Sequence, residues 1–236
     1  MKPLCILIAG DPVAPTRKRV GGFGVLIRAA TGEAWDGAWQ EVDARADGVL
    51  LPAARAMAGV VITGSASSVT ERAPWMLRAE RWLAEIVEQD VPVLGVCFGH
   101  QLLGQALGGL VRENPNGREM GSVPLELTAQ DELLDGIGDK VNMSHRDSVV
   151  ELPPRARVLA TTALDPRAAL RFGARVWGVQ FHPEFDREVM REYIGERRDA
   201  LAREGFDPDR LLAAAEACAD SALVLRRFAA LCGRAG

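Results

Sequence analysis

A thiol at Cys97, an imidazole at His182 and a carboxylate at Glu184 are spaced in this chain as a nucleophile, a base and an orienting acceptor would be. Residues 92–101, Pro-Val-Leu-Gly-Val-Cys-Phe-Gly-His-Gln, read as a short buried strand that turns sharply at Cys97 into a helix over residues 98–107. Gly95 and Gly99 let strand and helix approach closely. A thiol at that helix N-terminus meets free N–H groups and the positive end of the dipole, which favour thiolate. A free cysteine is in general most often simply buried. The second element shifts that reading. In Val-Trp-Gly-Val-Gln-Phe-His-Pro-Glu-Phe, residues 176–185, a strand runs into His182, Pro183 halts ladder pairing, and Glu184 follows two positions on. Residues two apart in extended chain point the same way, so the carboxylate can face the imidazole. A thiolate nucleophile needs such a base, and the base needs such a partner.

The surrounding elements put these groups at strand ends. Residues 4–9 are a continuous apolar run stopped by Gly10-Asp11-Pro12, and residues 60–62 are a second one stopped by Thr63-Gly64-Ser65. Residues 23–30 and 76–89 carry helical apolar spacing. Uninterrupted apolar strands alternating with helices predict an α/β fold with a mostly parallel sheet covered on both faces. After residue 120 the runs 123–127, 141–143, 148–150, 158–160, 169–172 and 176–180 have no helices between them and predict a small antiparallel extension. Residues 186–203 and 208–231 read as two helices, a C-terminal appendage. The stripe Leu211, Ala215, Cys218, Ala222, Leu225 and Ala229 is expected to cover the sheet or to mediate self-association, with no catalytic group. Arg17-Lys18-Arg19 reads as a solvated loop on the side of the site, with contact to an anionic substrate left open.

With 236 residues the chain can bury one main core plus an appendage. The apolar fraction of 48% and charged fraction of 25% are those of an ordinary globular protein. No apolar run reaches the roughly 18 residues of a membrane span, and the first strand is short for a signal segment, so a cytoplasmic protein is expected. A net charge of −4 offers no basic footprint for nucleic acid. Cys5, Cys97, Cys218 and Cys232 lack paired spacing, and with only three histidines no metal centre is expected. Neither G-x-x-x-x-G-K-[S/T] nor S-G-G-x-D-S occurs, so no nucleotide cofactor is expected either.

Gly-Val-Cys-Phe-Gly-His-Gln and Phe-His-Pro-Glu-Phe, in this order, resemble the G-x-C-x-G and H-P-E signatures of the class I, triad-type glutamine amidotransferases. The resemblance is to a stand-alone member similar to the amidotransferase domain of GMP synthase. It covers residues 1–185 as one domain and leaves 186–236 as a helical extension. It implies a flavodoxin-like sheet with a smaller second sheet. It also implies hydrolysis of the glutamine side-chain amide through a γ-glutamyl thioester on Cys97, with His182 and Glu184 completing the triad.

Acyl chemistry at a thiol makes an oxyanion that needs preorganised donors. The elbow supplies the backbone N–H of Phe98, and the neighbouring strand-end loop supplies one from Gly64 or Ser65. The family commonly has Gly-Gly-Pro there, whereas this chain has Gly64-Ser65-Ala66, so a freer loop is expected. The resemblance makes Gln101 a substrate contact. It also matches Met143-Ser144-His145-Arg146-Asp147 to an M-S-H-G-D segment, in which Ser144, Arg146 and Asp147 border the substrate and Arg146 replaces glycine. Glu119-Met120-Gly121 is similar to a further family turn, E-x-G, near the pocket. His100 reads as structural.

Family members deliver ammonia to a synthase, which a chain of this length is not expected to hold, so a separate synthase subunit is one expected partner. A hydrolase or transpeptidase of γ-glutamyl peptides or amines with the same triad is the alternative. A non-catalytic binding module with this fold is the third reading.

Overall fold

The computed structural model describes residues 1–234. Its strands are β1 (Leu4–Ile8), β2 (Trp39–Asp43), β3 (Gly59–Ile62), β4 (Val93–Val96), β5 (Leu110–Glu113), β6 (Glu119–Pro124), β7 (Glu126–Leu127), β8 (Lys140–His145), β9 (Asp147–Glu151), β10 (Arg157–Thr161), β11 (Ala169–Gly173) and β12 (Val176–Val179). Its α-helices are α1 (Ala14–Val20), α2 (Phe23–Thr31), α3 (Pro74–Glu88), α4 (Phe98–Ala106), α5 (Arg187–Glu196), α6 (Arg198–Arg203), α7 (Pro208–Ala214) and α8 (Leu223–Gly233). Eight strands form the main sheet in the order β2-β1-β3-β4-β12-β11-β10-β7. From β2 to β12 neighbours are parallel, and from β12 to β7 they are antiparallel. This is the mostly parallel, helix-flanked sheet that the apolar runs predict. Two further antiparallel pairs, β5 with β9 and β6 with β8, stand apart from it.

The central strands are apolar throughout because both faces are covered. Leu4, Ile6, Val61, Leu94 and Val96 point to one face, where they meet Ile27 of α2 and Val224, Leu225 and Phe228 of α8. Cys5, Leu7, Val60, Ile62 and Val93 point to the other, where Met76 and Leu83 of α3 and Leu102 and Leu103 of α4 close over them. This two-faced alternation follows from the period of a strand. A third cluster joins Phe23 and Met120 to Phe185, Met190, Tyr193 and Leu201, so α5 and α6 close the space between α2 and β6.

Several segments depart from the expectations. β12 belongs to the parallel part of the sheet through β4, although its neighbours in sequence are antiparallel. β2 lies at the sheet edge, with a half-exposed Trp-Gln-Glu-Val-Asp sequence that carries no apolar run. Arg17, Lys18 and Arg19 are in the last turn of α1, where cations suit the helix dipole, rather than in a loop. Arg19 pairs with Glu192 at 2.7 Å and Arg17 with Asp11 at 3.6 Å.

The C-terminal segment also breaks where continuous helices are expected. The first helix divides at Arg197. The second stops after Ala214 and resumes through a short 3₁₀ turn into α8, with Cys218 at φ +46°. Leu211 and Ala215 pack with the α5 cluster, whereas Leu225 and Ala229 pack under the main sheet. The proposed stripe is therefore two stripes on two surfaces, and that tertiary demand overrides the helix propensity of the alanine-rich run. Among the described residues no helix is long and apolar enough to cross a membrane.

α8 supports the strand that leads to His182. Phe228 meets Trp177 of β12 edge-on, with ring centroids 6.4 Å apart. The Trp177 indole N–H donates to Asp131 at 3.1 Å, and the Arg171 guanidinium lies 4.8 Å over the same ring. Phe228→Ala removes a fully buried ring from this face. It is expected to lower the unfolding free energy by about 3–5 kcal/mol in urea titration.

Candidate active site

Cys97, His182 and the Gly64 loop each follow the carboxyl end of a parallel strand. β4 and β12 run in register, Val96 beside Val179, so the residues that follow them emerge side by side. The Cys97 N–H donates to the Val179 carbonyl at 2.8 Å, extending the pairing by one bond beyond the strand. Cys97 itself sits at φ 51°, ψ −103°, a conformation that costs a non-glycine residue of order 1–3 kcal/mol. Close packing of α4 against the strands holds it there. A Cβ on Gly95 would come within 2.4 Å of the Gly99 backbone, and one on Gly99 within 2.5 Å of the Ile62 carbonyl. The helix start therefore rests on β3 and β4 with no side chain between.

His182 Nδ1 and Glu184 Oε1 are 2.8 Å apart, and both residues are buried. The His182 backbone N–H donates to the Asn142 carbonyl of β8 at 2.9 Å, and Phe185 stacks on the imidazole at 3.9 Å. A Cβ on Gly64 would stand 3.0 Å from His182 Cε1, so the glycine makes room for the ring.

Burial by itself drives the Cys97 thiol up; the adjacent His182 charge outweighs it and holds the thiol below its ordinary value. Burial likewise drives His182 down, and Glu184 with the Cys97 sulfur reverses this, so the imidazole stays protonated above its ordinary range. Each of the two groups thus favours the charged form of the other. The other thiols go the opposite way, with burial pushing Cys5 and Cys232 up to about 12 and raising Cys218. His100 is wholly buried beside Phe172, and burial holds it neutral, down to about 4, in keeping with a structural role.

A pocket of about 600 Å³ opens over the thiol. Of the residues expected around the substrate, Ser65, Phe98, Gln101, Ser144, Arg146 and Asp147 line it beside Cys97. Gln101 donates its amide N–H groups to the Asp147 carbonyl at 2.8 Å and to Gln180 Oε1 at 3.1 Å, which commits that end of the side chain to the pocket wall. Ser144 offers its carbonyl to the thiol at 3.9 Å. Arg146 is exposed and pairs with Glu113 at 2.8 Å.

The loop after β3 is not freer for lacking proline. Ser68 caps a 3₁₀ turn with Glu71 and hydrogen-bonds the Asp147 carboxylate across the pocket. A Cβ on Gly10 would also strike Ser65 Cα at 2.6 Å, so the two strand-end loops lie in contact. Glu119 is buried and accepts hydrogen bonds from His145 Nε2 at 3.2 Å and Thr162 at 2.9 Å. Burial lowers the His145 pKa, and the Glu119 bond, with the nearby Asp165 and Cys97, more than restores it.

Sequence reasoning passes over Gln180, whose amide N–H reaches Cys97 Sγ at 3.5 Å. The alternation Gln180, His182, Glu184 is the signal that points to it. It also passes over Arg118 and Arg197, which line the pocket from the start of β6 and from the α5–α6 junction. The C-terminal segment thus reaches the pocket wall. Among the described residues no group of His, Cys, Asp and Glu is placed to hold a metal ion.

Residues 39–198 match the family model described as glutamine amidotransferase class-I. The chain is 40% identical over 154 residues to a GMP synthase [glutamine-hydrolyzing] of Aeropyrum pernix, a match spanning 62% of this chain and 28% of that protein. It is 42% identical over 135 residues to the corresponding protein of Clostridium novyi, spanning 56% and 25%. These matches span about a quarter of the relatives' length. The fold is similar to that of a glutamine amidotransferase from Thermotoga maritima, with a TM-score of 0.74 at 22% identity, covering 97% of this chain and 96% of that one. It is similar too to a glutamine amido transferase from Methylobacillus flagellatus, with a TM-score of 0.70 at 20% identity and coverage of 99% and 94%.

A depressed Cys97 pKa means that thiolate persists as pH falls below the ordinary thiol value of about 8.5. Iodoacetamide is therefore expected to alkylate Cys97 with a pH midpoint below that value. His182→Ala removes the imidazolium and is expected to move the midpoint upward, read by mass spectrometry of the Cys97 peptide.

Proposed function

Since this chain belongs to the class I glutamine amidotransferase family, we propose that it hydrolyses the glutamine side-chain amide to glutamate and ammonia. The observation that carries the reading is the buried His182–Glu184 pair at 2.8 Å beside a thiol whose pKa is lowered. In this mechanism the Cys97 thiolate attacks the amide carbon. The tetrahedral oxyanion is received by the Phe98 N–H and by an N–H of Gly64 or Ser65. His182 gives its proton to the departing nitrogen, the C–N bond breaks, and ammonia leaves a γ-glutamyl thioester on Cys97. Water then gives a proton to His182 and attacks the thioester. The C–S bond breaks, and glutamate departs from a restored thiolate. Glu184 holds the ring in orientation and supports its charged form through both halves. Gln101, Ser144 and Asp147 border the amino-acid end, and Arg146 stands at the mouth.

The acceptor of the ammonia in this reading is a synthase, held on a separate subunit, in keeping with the matched relatives being glutamine-hydrolysing GMP synthases. The second reading, cleavage of γ-glutamyl peptides or amines, is favoured by the pocket of about 600 Å³, which has room beyond a single amino acid. Both proceed through the same thioester. A non-catalytic module is disfavoured by the low thiol pKa, which a binding surface has no use for.

A diazo-ketone analogue of glutamine is expected to place one label on Cys97 and none on Cys97→Ser. Glutamate release should fall by about 10⁴-fold or more in His182→Ala and by less in Glu184→Gln, because the histidine moves protons while the carboxylate orients it. Labelling at Cys5, Cys218 or Cys232 would refute the assignment. Comparing free glutamine with γ-glutamyl dipeptides as substrates of the purified protein ranks the two readings by kcat/KM.

A further inference from the structure

Three arginines line the pocket over Cys97, and their charges are not equally spent. Arg118 donates two hydrogen bonds to Glu204, at 2.6 and 3.1 Å. Arg146 is exposed and engaged by Glu113. Arg197 alone of the three has no ion pair among the described residues, and its Nη1 is buried without a hydrogen-bond partner. Its guanidinium lies 4.7 Å over the ring of Tyr193. Tyr193 packs on Phe185 at 4.5 Å, and Phe185 stacks on His182. The cation is thus held by an aromatic series that ends at the imidazole.

A guanidinium withdrawn from water without a counter-charge is unfavourable, and planar N–H donors left open match a carboxylate in two-point geometry. Elsewhere the wall is hydroxyl-rich, with Ser65, Ser67, Ser68 and Thr70. The three acidic side chains that line the pocket are already engaged: Glu71 accepts from the Ser68 N–H, Asp147 from the Ser68 hydroxyl, and Glu113 pairs with Arg146. We propose that Arg197 is a specificity-determining residue that pairs with a carboxylate of the substrate. The proposal rests on the reading of this pocket as a γ-glutamyl site. The carboxylate is either the α-carboxylate of the glutamyl unit or one carried on the far side of the scissile amide.

Calorimetric titration of Cys97→Ser protein, in which turnover is blocked, separates these sources and needs no reactive thiol. The probes are γ-glutamylglycine, with both carboxylates; γ-glutamyl methylamide, with only the α-carboxylate; and glutamine α-amide, with neither. Adding Arg197→Gln is expected to raise Kd for γ-glutamylglycine at least tenfold and for glutamine α-amide less than threefold. Loss for γ-glutamyl methylamide as well identifies the α-carboxylate, and loss for γ-glutamylglycine alone identifies the far one. Arg197→Lys keeps the charge above Tyr193 without the planar fork and should recover part of the affinity, with an unchanged thermal midpoint. Equal weakening of all three ligands, no weakening, or no binding of any of them by the Cys97→Ser protein overturns the proposal. The triad reading fails separately, if the wild-type thiol takes no diazo-ketone label.

Discussion

Parallel pairing between β4 and β12 is the constraint on which the rest of this molecule depends. The two strands are far apart in the chain, yet their register sets Val179 beside Val96, so Cys97 and His182 leave the sheet at the same end. A shift of one residue would turn every side chain of β12 to the opposite face and carry the imidazole out of reach of the sulfur. The register is fixed from both sides. Trp177 is anchored between Phe228, Asp131 and Arg171, while Gly178 leaves space for His100, whose Nδ1 would lie 2.6 Å from a Cβ there. Glycines at contact points and a large aromatic at the anchor are opposite devices for one purpose.

The same geometry sets the electrostatics. Charge on any buried group is unfavourable in isolation, and a thiol, an imidazole and a carboxyl group enclosed together offset this because the signs they can carry alternate. His182 holds the Cys97 thiol down, Glu184 holds His182 up, and Glu119 helps to hold His145 up nearby. Water is kept from the ring by the stacked Phe185. In such surroundings the proton affinities of Cys97 and His182 are coupled, so a change at one alters the other.

What is legible in the sequence is what is local. The elbow can be read because an apolar run, two glycines and the following helix all lie within residues 92–107, and the histidine with its carboxylate because Pro183 marks the strand end between them. The alternation of apolar strands and helices conveys the main sheet for the same reason. Features produced by convergence are not legible in this way. β2 is an edge strand with a polar sequence, so it lacks the apolar run that betrays β1, β3 and β4. The break before α8 is dictated by two surfaces that the helix must serve, and nothing in the alanine-rich run from 213 to 219 announces it. Arg118 and Arg197 come from separate segments and meet only at the pocket, and Gln180 reaches the Cys97 sulfur from behind the wall, through contacts that no single window contains.

The position of β12 also bears on how the molecule comes to be made. β1, β3 and β4 can pair as soon as residues 1–96 are available, but β4 keeps an open edge until residues 176–179 arrive to fill it. The aromatic that packs against β12 from below, Phe228, is synthesised later still. Closing so long a loop is slow compared with forming local helices, and an unfilled strand edge invites pairing with other chains. During synthesis the nascent protein therefore carries Cys97 without His182, together with the exposed edge beside it. The meeting of Cys97 with His182 and the covering of that edge arrive in the same late step.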